Sequence, residues 1–305
     1  MKVDPRHLTL VLAIVQEGSF NRAAEAMGMS QPALSKSIAL LERSIGAKIF
    51  DRAARGSTLT PVGQVVARWA TNMEQSLSRM KEEIKETSEH REGPLVIGAT
   101  PSLMLGLVPE ALARLFEAHP NISARIVEGL DDELTSALGH GKIDLLVGPV
   151  NGLHPVDPEF IEIEVALDPY YATLAPDHPL ATSPSLRLLD LVDETWLLPS
   201  PGSTFFRAVE AMFLVAGLPW PRNPLVTDSL QMHDRLIART GYVGIATKAQ
   251  LLTKERSIVA VPLADVPPRS IGVKRRMRSV ESSLTEEFLM HLRQAALDLS
   301  LHRSA

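Results

Sequence analysis

Between Ser19 and Arg43 lies a run of small, amide, hydroxyl and cationic residues whose order suits the reading of base edges. Turned by about 100° per residue, the segment from Gln31 to Arg43 puts Leu34, Ile38 and Leu41 on one face and Pro32, Lys36, Ala39 and Arg43 on the other. Gln31 and Ser35 flank that second face, which has no acidic member. A slim helix face offering amide, hydroxyl and cationic donors matches the width and the hydrogen-bond pattern of the DNA major groove.

The elements that must hold this face follow from the neighbouring residues. Asn21 is expected to cap a short helix reaching Met27, with Ala23, Ala24 and Ala26 keeping it slim. Gly28 and Met29 form the turn, Ser30 caps the second helix, and Pro32 sits in its first turn. This is a helix-turn-helix layout. A helix with Leu8, Leu12 and Val15 buried should precede it.

Ile49 to Arg52 and Thr58 to Thr60 read as two short strands around a turn at 53–57. Arg52, Arg55 and Thr58 would then meet phosphates beside the groove, contacts that fix position and salt dependence but carry no direct base information.

The run from Gly18 to Gln64 resembles the amino-terminal winged helix-turn-helix of the LysR-type bacterial transcriptional regulators. The resemblance is carried without a gap by the segment Ser30 to Ser35, by Leu41 with Glu42, by Phe50 with Arg52, and by the exit Leu59-Thr60-Pro61. Two positions depart from the family pattern: Lys36 stands where arginine is more usual, and Ala39 where a polar or charged residue is common.

Thr60 caps a long helix that begins at Pro61 and runs to about Glu89. Val66, Trp69, Met73, Leu77, Met80 and Ile84 follow steps of three and four, and roughly 40 Å of helix exceeds what a domain of this size covers. The stripe is therefore expected to meet a second copy of the chain. The polar stretch 86–93 before Pro94 reads as a hinge.

Beyond the hinge, strands at 95–99, 122–128 and 143–148 alternate with helices at 107–118 and 132–138, which implies a parallel, doubly covered sheet. A second α/β set has strands near 171–175, 195–198, 243–246 and 258–261. Strand 270–274 and helix 284–299 return to the first lobe.

The expected fold class is α/β: an N-terminal winged helix-turn-helix at 1–60, a linker and dimerisation helix with its hinge at 61–92, and an effector domain at 93–305. The resemblance implies a two-lobed, periplasmic-binding-protein-like (type 2) architecture for the last, with lobe I at about 93–164 and 268–305 and lobe II at about 165–267.

Ligands of open α/β sheets bind beyond the carboxyl ends of strands. That rule selects Thr100, Pro101, Ser102 and Leu103, then Glu128 with Gly129, and Gly148 with Pro149. In the second lobe it selects Gly202, Ser203 and Thr204, then Asp228 with Ser229, and Thr247. The resemblance implies a small-molecule effector between these loops, with Thr100, Ser102 and Ser203 as frequent contacts. Helix amino termini with hydroxyls suggest a carboxylate or a sugar.

Composition is ordinary for a soluble globular protein. Of 305 residues none is cysteine, which excludes disulfides and thiolate metal sites and fits a reducing cytoplasm. Lys2 and Arg6 before an apolar run imitate a secretory signal, but the run is short, Asp4 interrupts the positive end and no small-residue cleavage site follows. No apolar stretch is long enough for a bilayer, so no membrane partner is expected. The net charge of −5 is unevenly spread: residues 1–70 hold nine Lys and Arg against five Asp and Glu, +4, leaving −9 for the rest.

No phosphate loop, dinucleotide fingerprint, nucleophile elbow or HExxH pair occurs, and the nine histidines are scattered, so neither an enzyme, a cofactor nor a metal site is expected. The resemblance implies a regulator that binds operator DNA as a homodimer, with tetramers usual in the family, and RNA polymerase is a further candidate partner. The alternative is a two-lobed small-molecule-binding protein or enzyme whose helix-turn-helix serves assembly only.

Overall fold

The computed structural model describes residues 3–51, 58–88, 92–151, 157–201, 203–252, 257–277 and 283–301. The chain divides into two compact units, Met1–Lys85 and Glu86–Ala305.

In the first unit α1 (Pro5–Glu17) starts on Asp4, whose carboxylate accepts the Arg6 N–H at 3.0 Å. Its buried side is Leu10, Val11 and Ile14, one step round from the expected face: Leu12 is buried, Leu8 packs at the margin, and Val15 is 41% exposed. Helix α2 (Phe20–Ala26) is capped by Ser19, whose Oγ accepts the Arg22 N–H at 3.2 Å. Asn21 is therefore not the cap. The helix begins two residues earlier because Phe20 must reach the core, where its ring meets that of Phe50 edge-on at 5.4 Å.

Gly28, at φ +64°, turns the chain into α3 (Gln31–Ile45), capped by Ser30 as its chemistry demands. Strands β1 (Phe50–Asp51) and β2 (Thr58–Leu59) pair antiparallel, Phe50 opposite Leu59. The expected phosphate contacts Arg52 and Arg55 lie outside the described residues.

Helix α4 (Pro61–Ser88) is capped by Thr60, whose Oγ1 accepts the Gly63 N–H at 3.0 Å. Gly63 is required by close approach, since a Cβ there would collide with the Ile49 carbonyl oxygen. With 28 residues the helix is about 42 Å long. Val66 and Ala67 pack into the head's core, so Val66 leaves the expected self-association stripe. Trp69, Leu77, Met80 and Ile84 remain between 47% and 60% exposed, and Met73 is half-buried. Val62 and Val65, also exposed, continue the stripe upward.

The second unit carries two five-stranded sheets. The chain runs β3 (Glu92–Ala99), α5 (Pro101–Met104), α6 (Leu107–Ala118), β4 (Ile122–Glu128), α7 (Asp131–Gly139), β5 (Leu145–Pro149) and β6 (Phe160–Asp168). It crosses into β7 (Tyr170–Leu174), β8 (Trp196–Leu198), α8 (Thr204–Val215), β9 (Leu225–Val226), α9 (Leu230–Thr240), β10 (Val243–Thr247) and β11 (Val259–Pro262). It returns through β12 (Arg269–Arg276) and α10 (Ser283–Asp298).

Lobe I has strand order β4-β3-β5-β12-β6 and lobe II β11-β7-β10-β8-β9. Neither sheet is purely parallel. β3 pairs parallel with β4 and β5, while β12 runs antiparallel to β5 and β6. In lobe II, β10 is parallel to β8 and antiparallel to β7. The reason is the double crossing: the chain leaves lobe I through β6, which runs with the βαβ set, and must come back through β12 in the opposite direction, between β5 and β6. The expected lobe boundary at Val165 falls inside β6, which belongs to lobe I throughout. The lobe I core includes Ile97, Val147, Val273 and Phe288, and the lobe II core Trp196, Phe213, Val243 and Ile245.

Candidate functional sites: a recognition helix and an inter-lobe cleft

On α3 the inward residues Leu34, Ile38 and Leu41 are at most 1% exposed, which fixes the orientation of the helix and leaves Gln31, Pro32, Lys36 and Arg43 in solvent. Ser35 and Ala39 are half-buried on the same side, and the Gln31 side-chain amide donates to Ser35 Oγ at 2.9 Å. Arg43 Nε donates to the Ala39 carbonyl at 3.3 Å. Asn21 and Thr58 are exposed.

The acidic residue of α3's second half is turned away from this surface. Glu42 is 6% exposed and accepts the Ile49 N–H at 3.0 Å and the Phe50 N–H at 3.5 Å, with Lys48 Nζ at 2.7 Å. Burial pushes its carboxyl up, but Lys48 and the two N–H groups outweigh that and hold it below the ordinary value. Glu42 thus keeps the surface free of negative charge and ties α3 to the start of the hairpin. Sequence reasoning matched this residue to the family pattern without finding its role; an acid one turn before a glycine C-cap carries no local signal of burial.

The second site is a cavity of about 100 Å³ between the lobes. Thr100, Pro101 and Ser102 line it from the end of β3, and Leu130, Asp131 and Pro149 from the neighbouring strand ends. Lobe II contributes Ser203, Thr204 and Phe205 at the start of α8 and Thr227, Asp228 and Ser229 before α9. Of the expected contacts, Thr100, Ser102, Ser203, Thr204 and Ser229 line the cavity together. Leu103 does not: its side chain is fully buried in the lobe I core. Glu128, Gly148 and Thr247 are not on the wall either: Glu128 is exposed away from it, Gly148 is buried, and fully buried Thr247 accepts a hydrogen bond from the wall residue Arg269.

Arg269, His233 and Gln250 also line the cavity and have no motif in the sequence to announce them. Arg269 lies in register with Asp168 across β12 and β6, and its Nη2 is 2.8 Å from Asp168 Oδ2. The same Nη2 donates to Ser102 Oγ at 2.8 Å and Thr247 Oγ1 at 3.2 Å. Asp168 is fully buried and its other oxygen accepts the Ala249 N–H at 2.8 Å. One ion pair at the crossing therefore joins a wall residue of lobe I to two elements of lobe II. Thr100 Oγ1 is buried with no hydrogen-bond partner. Asp131 is held by Lys274 Nζ at 3.3 Å, yet burial raises its carboxyl above the ordinary value more than Lys274 lowers it.

A winged helix-turn-helix on the same chain as a two-lobed ligand-binding fold defines a DNA-binding regulator with a sensor of its own. Residues 5–64 match the bacterial regulatory helix-turn-helix protein, lysR family, and residues 88–297 match the LysR substrate binding domain. The chain belongs to the LysR family and is a LysR-type transcriptional regulator with a DNA-binding and an effector-binding domain.

Among its relatives is the HTH-type transcriptional regulator GbpR of Rhizobium radiobacter, 27% identical over 240 residues that cover 78% of this chain and 79% of that one. The RuBisCO operon transcriptional regulator of Allochromatium vinosum is 31% identical over 238 residues, 76% of this chain and 77% of that one. Full-length BenM superposes with a TM-score of 0.62 at 26% identity, covering 99% of each chain. Full-length CbnR complexed with its target DNA has a TM-score of 0.67 at 18% identity, covering 96% of this chain and 100% of that one, and shares the fold. No helix among the described residues is long and apolar enough to cross a membrane.

Proposed function

We propose that the chain binds double-stranded operator DNA as a homo-oligomer, through the outward face of α3 and the adjoining hairpin, and that a small molecule in the inter-lobe cleft biases it between two arrangements. The observation that carries this reading is the exposed, acid-free face of Gln31, Pro32, Lys36 and Arg43 on a helix held rigidly by its buried side. CbnR, which shares the fold, has been solved on its target DNA. The exposed stripe of α4 supports self-association, and two heads on a dyad read two half-sites. The reading needs no cofactor and no catalysis, places the protein in the cytoplasm where the DNA is, and makes RNA polymerase a further partner at the promoter.

Fluorescence anisotropy on the DNA upstream of the chain's own gene tests this. The affinity should fall steeply with salt and exceed that for scrambled DNA by at least about a thousandfold. An affinity indifferent to salt and sequence would favour the alternative, in which the head serves assembly only.

A further inference from the structure

We propose that the cleft takes an uncharged, polyhydroxylated molecule, a sugar or polyol, and discriminates against anions; the inference rests on the cleft reading of the preceding section. The wall carries Asp131, Asp228 and Arg269. Arg269 is already matched by buried Asp168, and Asp131 by Lys274, which is shared with Glu162 at 3.6 Å. Asp228 accepts the Ser200 N–H at 2.9 Å and makes no ion pair among the described residues. The excess charge of the site is therefore negative.

An entering carboxylate would also find the amino termini of α8 and α9 capped by their own serines and that of α7 acidic, leaving, of these and α5, only the single turn of α5 with neither. Ser203 Oγ accepts the Phe206 N–H at 3.0 Å, Ser229 Oγ accepts the Met232 N–H at 3.3 Å, and α7 carries Asp131, Asp132 and Glu133 in its first turn.

Hydroxyl groups meet what remains. Thr100 is 8% exposed and its buried Oγ1 has no partner, a vacancy that costs free energy until something donates to it or accepts from it. Ser102 Oγ accepts from Arg269 and keeps a proton to donate, while the Asp228 carboxylate can only accept. A hydroxyl both donates and accepts, and so serves all three. Leu197, Ile245 and Phe205 supply apolar wall for the C–H faces of a ring.

The full-length chain is tested by thermal unfolding and calorimetry against D-glucose, D-galactose, L-arabinose and glycerol on one side, and benzoate, succinate and putrescine on the other. At least one sugar or polyol should raise the unfolding midpoint and bind with an affinity unchanged between low and high salt. Asp228→Asn, which keeps an acceptor for Ser200, and Thr100→Val should each weaken that binding about ten- to hundredfold. A carboxylate that binds, more tightly in Asp228→Asn and not in Thr100→Val, would overturn the ligand class and leave the cleft reading standing. A sugar whose affinity ignores both substitutions would place its site elsewhere and overturn the two together. A panel in which no member raises the midpoint overturns the inference.

Discussion

Asp168 and Arg269 face each other in register on β6 and β12, at the two points where the chain crosses between lobes, with 2.8 Å between Oδ2 and Nη2. The carboxylate is fully buried and the guanidinium 12% exposed, so removing one partner strands the other in low dielectric. Arg269→Ala should destabilise the effector domain by about 3–5 kcal/mol, read by denaturant unfolding with buried Trp196 as the reporter. Asp168→Asn with Arg269→Met should recover most of that loss. Equal costs for the single and double variants would show that the pair is not the source.

The Glu42 contacts predict a pH dependence for the head. Its carboxyl lies below the ordinary value of 4.5 in the folded state, so the stabilisation is present above that value and is lost as pH falls through the lower, folded one. Glu42→Gln should cost about 1–3 kcal/mol at neutral pH, flatten the acid limb and loosen the hairpin's hold on DNA. Circular dichroism melts from pH 7 downward compare the two proteins; superimposable acid limbs would refute the assignment.

Much of the head was legible in advance because its signals are local: a serine before α3, a threonine before α4, glycine at the turn, and apolar residues at steps of three and four. Even there the α1 face and the α2 cap were one or two residues out, since tertiary needs, the reach of Phe20 into the core, chose between adjacent candidates. In the effector domain Thr100, Ser102, Ser203 and Ser229 follow from the strand-end rule. Arg269 and Asp168 do not, being 101 residues apart and joined only by the register of β12 on β6. The same distance effect hid β6 behind a boundary drawn through Val165. Leu103 misled because a four-residue helix turns its third side chain into the core.

The α4 stripe predicts the assembly state. Leu77→Asp with Ile84→Asp puts two charges on a face that is now apolar and about half exposed. Sedimentation velocity should then show a smaller species than the parent, with the fold intact by circular dichroism. An unchanged sedimentation coefficient would assign self-association to another surface.

Across the cleft Arg207 Nη2 of α8 lies 3.3 Å from Asp132 Oδ1 of α7. The pair is exposed, 35% and 67%, and such pairs contribute at most about 1 kcal/mol. Asp132→Asn should therefore change the affinity for a cleft ligand by less than about fivefold in calorimetry. A larger effect would make the pair a ligand contact and not a bridge between lobes.

The most direct measurement is the occupancy of operator DNA by Gln31→Ala, Ser35→Ala and Lys36→Ala combined, followed by anisotropy across a salt series. All three residues sit on the outward side of α3, so unfolding should match the parent. The account predicts that discrimination between operator and scrambled DNA falls by about 2–6 kcal/mol as base contacts are lost, and that the salt slope drops by about one for the missing lysine. Undiminished discrimination with the parent's salt slope would contradict it.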